Sequence, residues 1–377
     1  MNGNNSSTIQ YCSENAINTA EYRNWIKTTQ IWVWTLTGVG SLGNLFTIVV
    51  ILHQLCIGFV QKRRPGTYRQ WNGNTSRVER PVLPFEGHTL LLLHLCFCDL
   101  LYSAVNLPLT ATAYGYALDG ATQELEGLCP VAAFLRYTNA LAEWLTLGLL
   151  AFQRCVDLSR WKSARFFQPA ATGALIAGIW VVSVALQLVP FAKDNSYGYC
   201  RRNLRCDITD DKLRTIFFTL QSFVPLLLMV TGYLGILRHL LRKRKEMEVA
   251  MIGPELSRRR LVKSSALVLT LLVLFLVCVI PICIHNVFLG NANDTIRIHS
   301  GFVLYMIYWL QYAVNFILYT AMSSNFRSAY RRFFGLFFPT CRRESSNVYN
   351  VFITQRCSND TFVEKQERDS RETHTRY

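Results

Sequence analysis

The stretch "CPVAAFLRYTNALAEWLTLGLLAFQR" (129–154) is long and apolar enough to cross a membrane, yet it contains Arg136, Glu143 and Arg154. Each ionisable group in a membrane helix costs about 2.5–3.5 kcal/mol to insert. On an α-helix, the step from 136 to 143 falls about 20° short of two turns, and the step from 143 to 154 overshoots three turns by about 20°. The three side chains therefore lie on one stripe, which must face the interior of a helix bundle.

The chain as a whole has the composition of a membrane protein. Of its 377 residues, 51% are hydrophobic and 17% are charged, whereas soluble domains carry about 25% charged residues. A membrane-crossing helix needs about 20 mainly apolar residues, and seven such runs occur. They lie at 30–56, 88–114, 129–153, 169–191, 214–237, 261–289 and 300–322. We therefore predict an all-α membrane protein with seven transmembrane helices.

The basic residues lie between the apolar runs and indicate the orientation of the bundle. The net charge is +15, and segments 61–87 and 238–263 are rich in Lys and Arg, whereas 115–128 contains neither. Cytoplasmic loops carry the excess of Lys and Arg, so we expect an external N-terminus and no nucleic-acid partner. Segment 192–213 is predicted to be external yet carries five Lys and Arg residues, and this charge needs a separate explanation.

This topology divides the chain into four parts. We predict an extracellular tail over 1–29, a seven-helix domain over 30–322, an amphipathic helix over 323–338 and a largely disordered cytoplasmic tail over 339–377. N-glycosylation sequons occur in "NNSST" and "NDT", on segments predicted to be external. The acceptor residues expected to carry glycans are Asn4, Asn5 and Asn293.

Further polar residues lie at the same depth as Glu143. Asp99 is midway along the second apolar run, Asn44 along the first and Asn315 along the seventh. The four side chains predict one buried network, in which the two carboxyl groups either share a proton or hold a Na⁺ ion. The alternative is a hydrogen-bonded structural cluster without a cation. We expect no other cofactor.

A series of short motifs resembles the rhodopsin-like (class A) G-protein-coupled receptors, over about residues 30–340. Eight features follow the order and spacing of that family, which makes the resemblance specific. They are "GSLGN" (40–44), "LHLCFCDLL" (93–101), Cys129 placed 25 residues before Arg154, Trp180, the pair Pro225 and Tyr233, "FLVCVIP" (275–281), "NFILY" (315–319) and "SNFRSAYRRFF" (324–334).

Within the class, the chain is most similar to the invertebrate moody and trapped-in-endoderm type of orphan receptor, and more distantly to melatonin receptors. The residues that carry this similarity are "RCDI" (205–208), "CVIPI" (278–282) and "YAVNFILY" (312–319). The resemblance implies a plasma-membrane receptor, not an enzyme, that binds an extracellular ligand and activates heterotrimeric G proteins. Arrestin and receptor kinases are the further partners that it implies.

The resemblance also implies covalent features. Cys129 should form the external disulfide with a cysteine of the second external loop, which is Cys206 or, alternatively, Cys200. Cys200 has a second alternative, a separate bridge to Cys12. Cys341 follows the amphipathic helix and resembles a palmitoylation site.

The family's ligand pocket maps onto the outer half of the bundle. Arg136 stands where amine receptors carry an aspartate, so a cationic amine would be repelled. Together with the basic loop, Arg136 suggests an anionic ligand, such as a lipid, a carboxylate or an acidic peptide. The alternative is that Arg136 pairs internally with an acid or a carbonyl. By family position, the pocket wall consists of Arg136, Tyr137, Phe217, Gln221, Ile282, Asn286, Tyr305 and Trp309.

The switch residues depart from the family's pattern. The coupling and switch positions are Gln153, Arg154, Tyr233, Phe275, Pro281 and Tyr319. The acid that normally precedes the arginine is replaced by Gln153, so we expect a lightly restrained Arg154 and raised basal activity. Asp157, one turn later, is the candidate substitute for the missing acid. The usual tryptophan of the sixth helix is Val279.

Two other classes of membrane protein remain as alternatives. A seven-helix hydrolase would need metal-binding histidines that converge at one membrane face, and the seven histidines here lack such spacing. A channel or transporter would explain the acids within the membrane, but the motif series argues against it.

Overall fold

The computed structural model describes residues 21–63, 82–159, 166–192, 196–200, 205–250, 255–288 and 294–337. Within these ranges, the chain forms helices and one short antiparallel hairpin. The helices are α1 Arg23–Arg63, α2 Gly87–Leu101, α3 Leu107–Asp119, α4 Thr122–Ser159, α5 Pro169–Ala192, α6 Asp211–Ala250, α7 Glu255–Cys278, α8 Ile280–Phe288, α9 Asp294–Met322 and α10 Ser324–Phe337. The strands are β1 Tyr197–Cys200 and β2 Arg205–Ile208.

Two of the membrane-crossing segments, which we call rods, consist of two helices joined end to end. A π-helical segment, Tyr102–Asn106, joins α2 to α3, and Pro108 lies in the first turn of α3. A single turn residue, Val279, joins α7 to α8. Pro281, two residues later, has no N–H to donate to the helix, and the bonds from Val279 N to Phe275 O (2.8 Å) and from Cys283 N to Val279 O (3.1 Å) continue the helix around it.

Six rods among the described residues are long and apolar enough to cross a membrane. They are Arg23–Val60, Gly87–Asp119, Pro169–Ala192, Lys212–His239, Ala266–Phe288 and Thr295–Met322. Helix α4 is the remaining long helix, with 38 residues, and its charged side chains make it less apolar than the others. With α4 included, the rods correspond to the seven predicted runs. Most of the helices extend beyond those runs into the polar residues on either side.

Helix α4 lies at the centre of the bundle and packs against α2, α5, α6 and both strands. The predicted stripe faces inward, as expected: Arg136 is 6% exposed and Glu143 is fully buried, while Arg154 is half-buried at the other end. Gly148 and Gly232 allow α4 and α6 to approach closely. A methyl group at Gly232 would lie 2.8 Å from the carbonyl carbon of Ala151.

The bundle belongs to a unit that ends at Phe326, and Arg327 begins a second unit. Helix α10 begins and ends within one residue of the helix predicted over 323–338. The predicted glycosylation sites Asn4, Asn5 and Asn293 lie outside the described residues, as do Cys341 and the tail over 339–377.

Candidate functional site

A β-hairpin packs against one end of the bundle, which we call the hairpin end. Its strands pair antiparallel, with Tyr197 opposite Ile208 and Cys200 opposite Arg205. All four residues of β2 are buried, and the hairpin packs on α4 through an apolar cluster that includes Tyr137. The segment predicted only as an external loop is therefore part of the folded core.

A disulfide joins Cys206 of β2 to Cys129 of α4, with the two Cα atoms 4.8 Å apart. This confirms the first of the two predicted pairings. Cys200 takes part in a separate disulfide, so the alternative pairing with Cys129 is wrong. The other residue suggested for that bridge, Cys12, lies outside the described residues. Cys129 lies seven residues, about two helical turns, before Arg136 on α4, so the disulfide anchors β2 to the same helix as Arg136.

Asp207, the residue after Cys206, is the central acid at the hairpin end. Its carboxylate accepts a hydrogen bond from Arg205 Nε at 3.0 Å and from Arg136 Nη2 at 3.5 Å, and Tyr137 donates its hydroxyl to the same carboxylate. Asp207 is fully buried. Burial alone raises the pKa of a carboxyl group, but the guanidinium groups of Arg205 and Arg136 hold the pKa of Asp207 at about 2. Arg136 therefore has an internal partner, as the alternative interpretation of that residue required.

Arg205 explains part of the charge on the basic loop. It is 7% exposed, and its guanidinium carbon lies 4.0 Å from the ring centre of Tyr305. Its Nη2 donates to Asn286 Oδ1 at 3.1 Å, and Asn286 Nδ2 donates in turn to the Tyr305 hydroxyl at 3.0 Å. No role for Arg205 or Asp207 was predicted from the sequence. Their position beside Cys206 was the available signal, because the disulfide brings both residues to α4.

The predicted pocket wall is mostly assembled around one cavity. Five of its eight predicted residues line that cavity, namely Arg136, Tyr137, Gln221, Ile282 and Tyr305. The other three play different parts. Phe217 packs in the apolar cluster around the hairpin, Asn286 bonds to Tyr305, and Trp309 packs beside Tyr305 with ring centres 5.6 Å apart.

The inner wall of the same cavity is aromatic and connects the cavity to the middle of the bundle. The hydroxyl groups of Tyr308 and Tyr312 lie 2.7 Å apart, and Tyr102 donates its hydroxyl to Tyr308 at 3.3 Å. Trp144 packs edge-on against Tyr308 and also against Phe275, at ring distances of 6.4 and 5.6 Å. We call Tyr102, Tyr308 and Tyr312 the tyrosine cluster. The cluster was not predictable from the sequence, because aromatic residues at helical spacing are usually ordinary core residues.

The four residues of the predicted polar network are all buried. Asn315 Nδ2 donates to Asp99 Oδ2 at 2.8 Å, whereas Asn44 Nδ2 donates to the carbonyl of Tyr312, also at 2.8 Å. The carboxyl group of Glu143 lies near Asp99 and Tyr312. Nevertheless, within the described residues, Asp99 Oδ1 and both oxygens of Glu143 have no hydrogen-bond partner in acceptable geometry.

Arg154 has a partner that the sequence analysis did not identify. Its Nη2 donates to Nε2 of His88, at the start of α2. Asp157, the predicted substitute, contributes a favourable electrostatic interaction, as does Glu86. The expectation of a lightly restrained arginine therefore needs correction. His88 was not predictable as this partner, because the sequence does not specify how α2 is rotated about its axis.

The other predicted switch residues lie on α4, α6, α7, α8 and α9. Gln153 is 3% exposed and Phe275 is 1% exposed, packed against Trp144. Tyr319 is buried and stacks on Phe326 with ring centres 5.3 Å apart. Tyr233 is half-buried on α6. In the described part of the chain, neither tyrosine hydroxyl has a hydrogen-bond partner.

Within the described ranges, no three His, Cys, Asp or Glu side chains converge to hold a metal ion. His285 instead contacts α9, where its Nε2 lies 3.0 Å from both Arg297 O and Ser300 Oγ.

The ion pairs of Asp207 lead to a prediction about stability and pH. Asp207→Asn should destabilise the purified protein by about 3–5 kcal/mol, because it leaves two buried guanidinium groups without a counter-charge. The pKa of Asp207 is depressed in the folded state, so this contribution is complete above the unfolded pKa of about 4 and is lost as the pH falls toward about 2. In thermal unfolding, the difference in melting temperature between variant and parent should be constant from pH 7 to 5 and should narrow below pH 4.

The matched control is Asp119→Asn, which removes an exposed acid at the end of α3. It should leave the melting temperature nearly unchanged. Equal effects of the two substitutions would contradict a structural role for Asp207.

Comparison with known proteins identifies the family. Residues 86–336 match the family described as 7 transmembrane receptor (rhodopsin family). Protein trapped in endoderm-1 of Drosophila melanogaster is 22% identical over 325 residues, which cover 79% of this chain and 75% of that protein. The G-protein coupled receptor moody of the same fly is 24% identical over 201 residues, which cover 52% of this chain and 26% of that protein.

The fold comparison agrees with the sequence comparison. The crystal structure of squid rhodopsin matches with a TM-score of 0.61 and 16% identity, covering 88% of this chain and 85% of that one. The predicted fold class is therefore confirmed. The family consists of receptors rather than enzymes or transporters, so both alternative classes are set aside. The chain belongs to the rhodopsin-like family of seven-transmembrane, G-protein-coupled receptors.

Proposed function

We propose that this receptor resides in the plasma membrane, binds an anionic extracellular ligand at its hairpin end and activates heterotrimeric G proteins at the opposite end. The observation that carries this proposal is the single buried stripe on α4. It runs from Arg136 beside the pocket, past Glu143, to Arg154 at the other end. One rigid helix thus connects the two sites.

The orientation follows from charge and from the disulfide. The segments 61–87 and 238–263 hold the clusters of Lys and Arg that mark cytoplasmic loops. The Cys129–Cys206 bridge is at the hairpin end, and disulfides form in oxidising, external compartments. Both observations support an external hairpin end and N-terminus.

The anionic character of the ligand is supported by buried cations near the pocket. Arg136, Arg205 and Arg297 are each less than a tenth exposed, and Asp207 forms ion pairs with the first two. A cationic amine would meet these guanidinium groups unfavourably. Of the anionic ligands, a lipid, a carboxylate and an acidic peptide all remain consistent with this end of the bundle.

Signal transfer runs through the aromatic wall of the cavity. Tyr308 lines the cavity and contacts Tyr312, whose carbonyl accepts the bond from Asn44. A ligand that moves Tyr308 or Trp144 therefore acts on residues packed against Phe275 and the buried acids. Binding would shift the population toward the arrangement that couples to a G protein.

At the opposite end, Arg154 together with Tyr233 and Tyr319 is proposed to contact the G protein. The bond to His88 is proposed to hold Arg154 in the uncoupled arrangement. The C-terminal tail carries Ser and Thr residues suited to phosphorylation by receptor kinases and to arrestin binding. Palmitoylation of Cys341 and glycosylation of Asn4, Asn5 and Asn293 are further modifications that we propose on sequence grounds.

We also propose that a Na⁺ ion binds between Asp99 and Glu143. Three buried carboxylate oxygens in this network have no hydrogen-bond partner among the described residues. Hard cations prefer oxygen ligands, and a cation would offset the repulsion of two adjacent carboxylates. A shared proton is the competing explanation for the same pair.

The coupling role of Arg154 can be tested in cells with G-protein dissociation biosensors. Arg154→Ala should abolish activation while surface expression stays normal. His88→Ala removes a hydrogen bond to a charged group, worth about 1.5–3 kcal/mol, so activation without ligand should rise several-fold. Arg23→Ala, at an exposed arginine near the start of α1, is the matched control and should behave like the parent. Activation by Arg154→Ala at the parent level would refute the assignment.

The Na⁺ proposal predicts a salt-specific effect on the purified receptor. Replacing K⁺ with Na⁺ at constant ionic strength should raise the melting temperature of the parent. The effect should disappear in Asp99→Asn and Glu143→Gln, because each substitution removes an anionic ligand. A shared proton instead predicts no difference between Na⁺ and K⁺, and this outcome would rule out the cation site.

A further inference from the structure

A second cavity at the hairpin end lies beside the predicted pocket and contains residues that the pocket prediction omitted. The cavity itself has a volume of about 20 Å³, and the wider space of about 330 Å³ between its wall residues includes open solvent. Its wall includes Tyr114, Arg205, His285, Arg297, Phe302 and Tyr305. Of these, only Tyr305 belongs to the predicted wall, and Tyr305 also lines the first cavity.

The wall of this second cavity is cationic and buried. Arg205 and Arg297 are 7% and 3% exposed. Asp207 pairs with Arg205, but the same carboxylate also serves Arg136. One acid is therefore shared by two guanidinium groups, and Asn286, a further partner of Arg205, is neutral. A buried guanidinium group that shares its counter-charge favours the binding of an anion.

His285 fixes the position of Arg297 rather than adding charge of its own. Its ring nitrogen lies 3.0 Å from the carbonyl oxygen of Arg297 and from Ser300 Oγ, so α8 is tied to the first turns of α9. A methyl group at Gly301 would lie 3.5 Å from the same imidazole. Arg297 thus sits on backbone that is held in place, which suits a binding group better than a free surface arginine.

Aromatic side chains also line this cavity and lead toward the first cavity. Tyr114 packs near Phe302 and Trp309, with ring centres 6.2 and 6.4 Å away. Beyond Tyr305, the first cavity is lined by Trp144, Phe218 and Ile282, among others. A third, smaller cavity shares Tyr114 and Arg205 with the second one and Arg136 with the first. The cavities therefore adjoin one another.

We propose that the second cavity binds the acidic head of an amphiphilic small molecule. The head, a carboxylate or a phosphate monoester, binds between Arg205 and Arg297, and the apolar body passes Tyr305 toward Trp144. This inference rests on the proposed function and specifies its ligand class. It explains why an arginine-lined chamber adjoins an aromatic one, and it brings the apolar body to Tyr308 of the tyrosine cluster.

The test is direct binding to the full-length receptor in nanodiscs of neutral phosphatidylcholine, read as a shift in melting temperature. The probes are matched in chain length: dodecanoate, dodecyl phosphate, neutral dodecanol and cationic dodecyltrimethylammonium. At least one of the two acids should stabilise the receptor saturably, and the alcohol and the cation should not. The comparison of dodecanoate with dodecyl phosphate distinguishes the two acidic heads. A hexaglutamate peptide tests the acidic-peptide alternative.

The variants localise the site. Arg297→Gln should weaken binding of the active acid at least about tenfold, because a hydrogen bond to a charged group contributes about 1.5–3 kcal/mol. Arg297→Lys keeps the charge and should retain part of the affinity. If Arg297→Gln does not fold, the affinity of Arg297→Lys provides the test. Arg23→Gln, which removes an exposed arginine of α1, should bind like the parent.

Several outcomes would overturn the proposal. These are equal stabilisation by dodecanol, binding of hexaglutamate but of neither acid, binding of none of the probes, or full affinity in folded Arg297→Gln and Arg297→Lys. Signalling is measured separately. If an acid binds through Arg297 but no G protein is activated, the binding site stands and the proposed function fails. If a G protein is activated by other stimuli and no acid binds, G-protein activation stands and the proposed acid-binding site fails.

Discussion

The membrane interior cannot solvate charge, so every ionisable side chain on the inward stripe of α4 must find its partner inside the bundle. Arg136 meets this requirement through Asp207, and Arg154 through His88. Glu143 lies beside Asp99, with carboxylate oxygens that call for a proton or a cation. The same requirement accounts for the buried hairpin, since Asp207 reaches Arg136 only when β2 is held against α4.

The arrangement places three polar sites on one helix, about two to three turns apart. Helix α4 packs against most of the bundle, so a change at one site is transmitted through close-packed neighbours rather than absorbed by a loop. The tyrosine cluster lies between the pocket and the acids, and Trp144 contacts both Tyr308 and Phe275. Val279 stands where the family pattern has a tryptophan in the sixth helix, and the indole that packs against Phe275 is that of Trp144.

Much of this architecture could be predicted from the sequence because it depends on local periodicity. The spacing of Arg136, Glu143 and Arg154 placed them on one buried face, and the apolar runs located the rods. The ends of the helices were less predictable, since α1 and α6 continue well past their apolar parts. The short hairpin was missed because four-residue strands carry too few residues for an alternating pattern.

Partners across the bundle depend on how each helix is rotated, which one sequence does not determine. His88 is one of several polar residues near the start of α2, and only packing turns it toward Arg154. The segment around Arg297 has the polar sequence typical of the start of a helix, which predicts an exposed side chain. Arg297 is nevertheless 3% exposed and lines a cavity. Asp207 was more predictable, because it neighbours Cys206, the first candidate for the disulfide with Cys129.

A double-mutant cycle between Arg136 and Asp207 tests most directly whether the stripe of α4 is stabilised by internal pairing. The free energy of unfolding would be measured for the parent, Arg136→Met, Asp207→Asn and the double variant. Internal pairing predicts that Asp207→Asn costs about 1–3 kcal/mol less when Arg136 is already replaced, since one unpaired buried cation is then avoided. The same cost in both backgrounds would contradict the account.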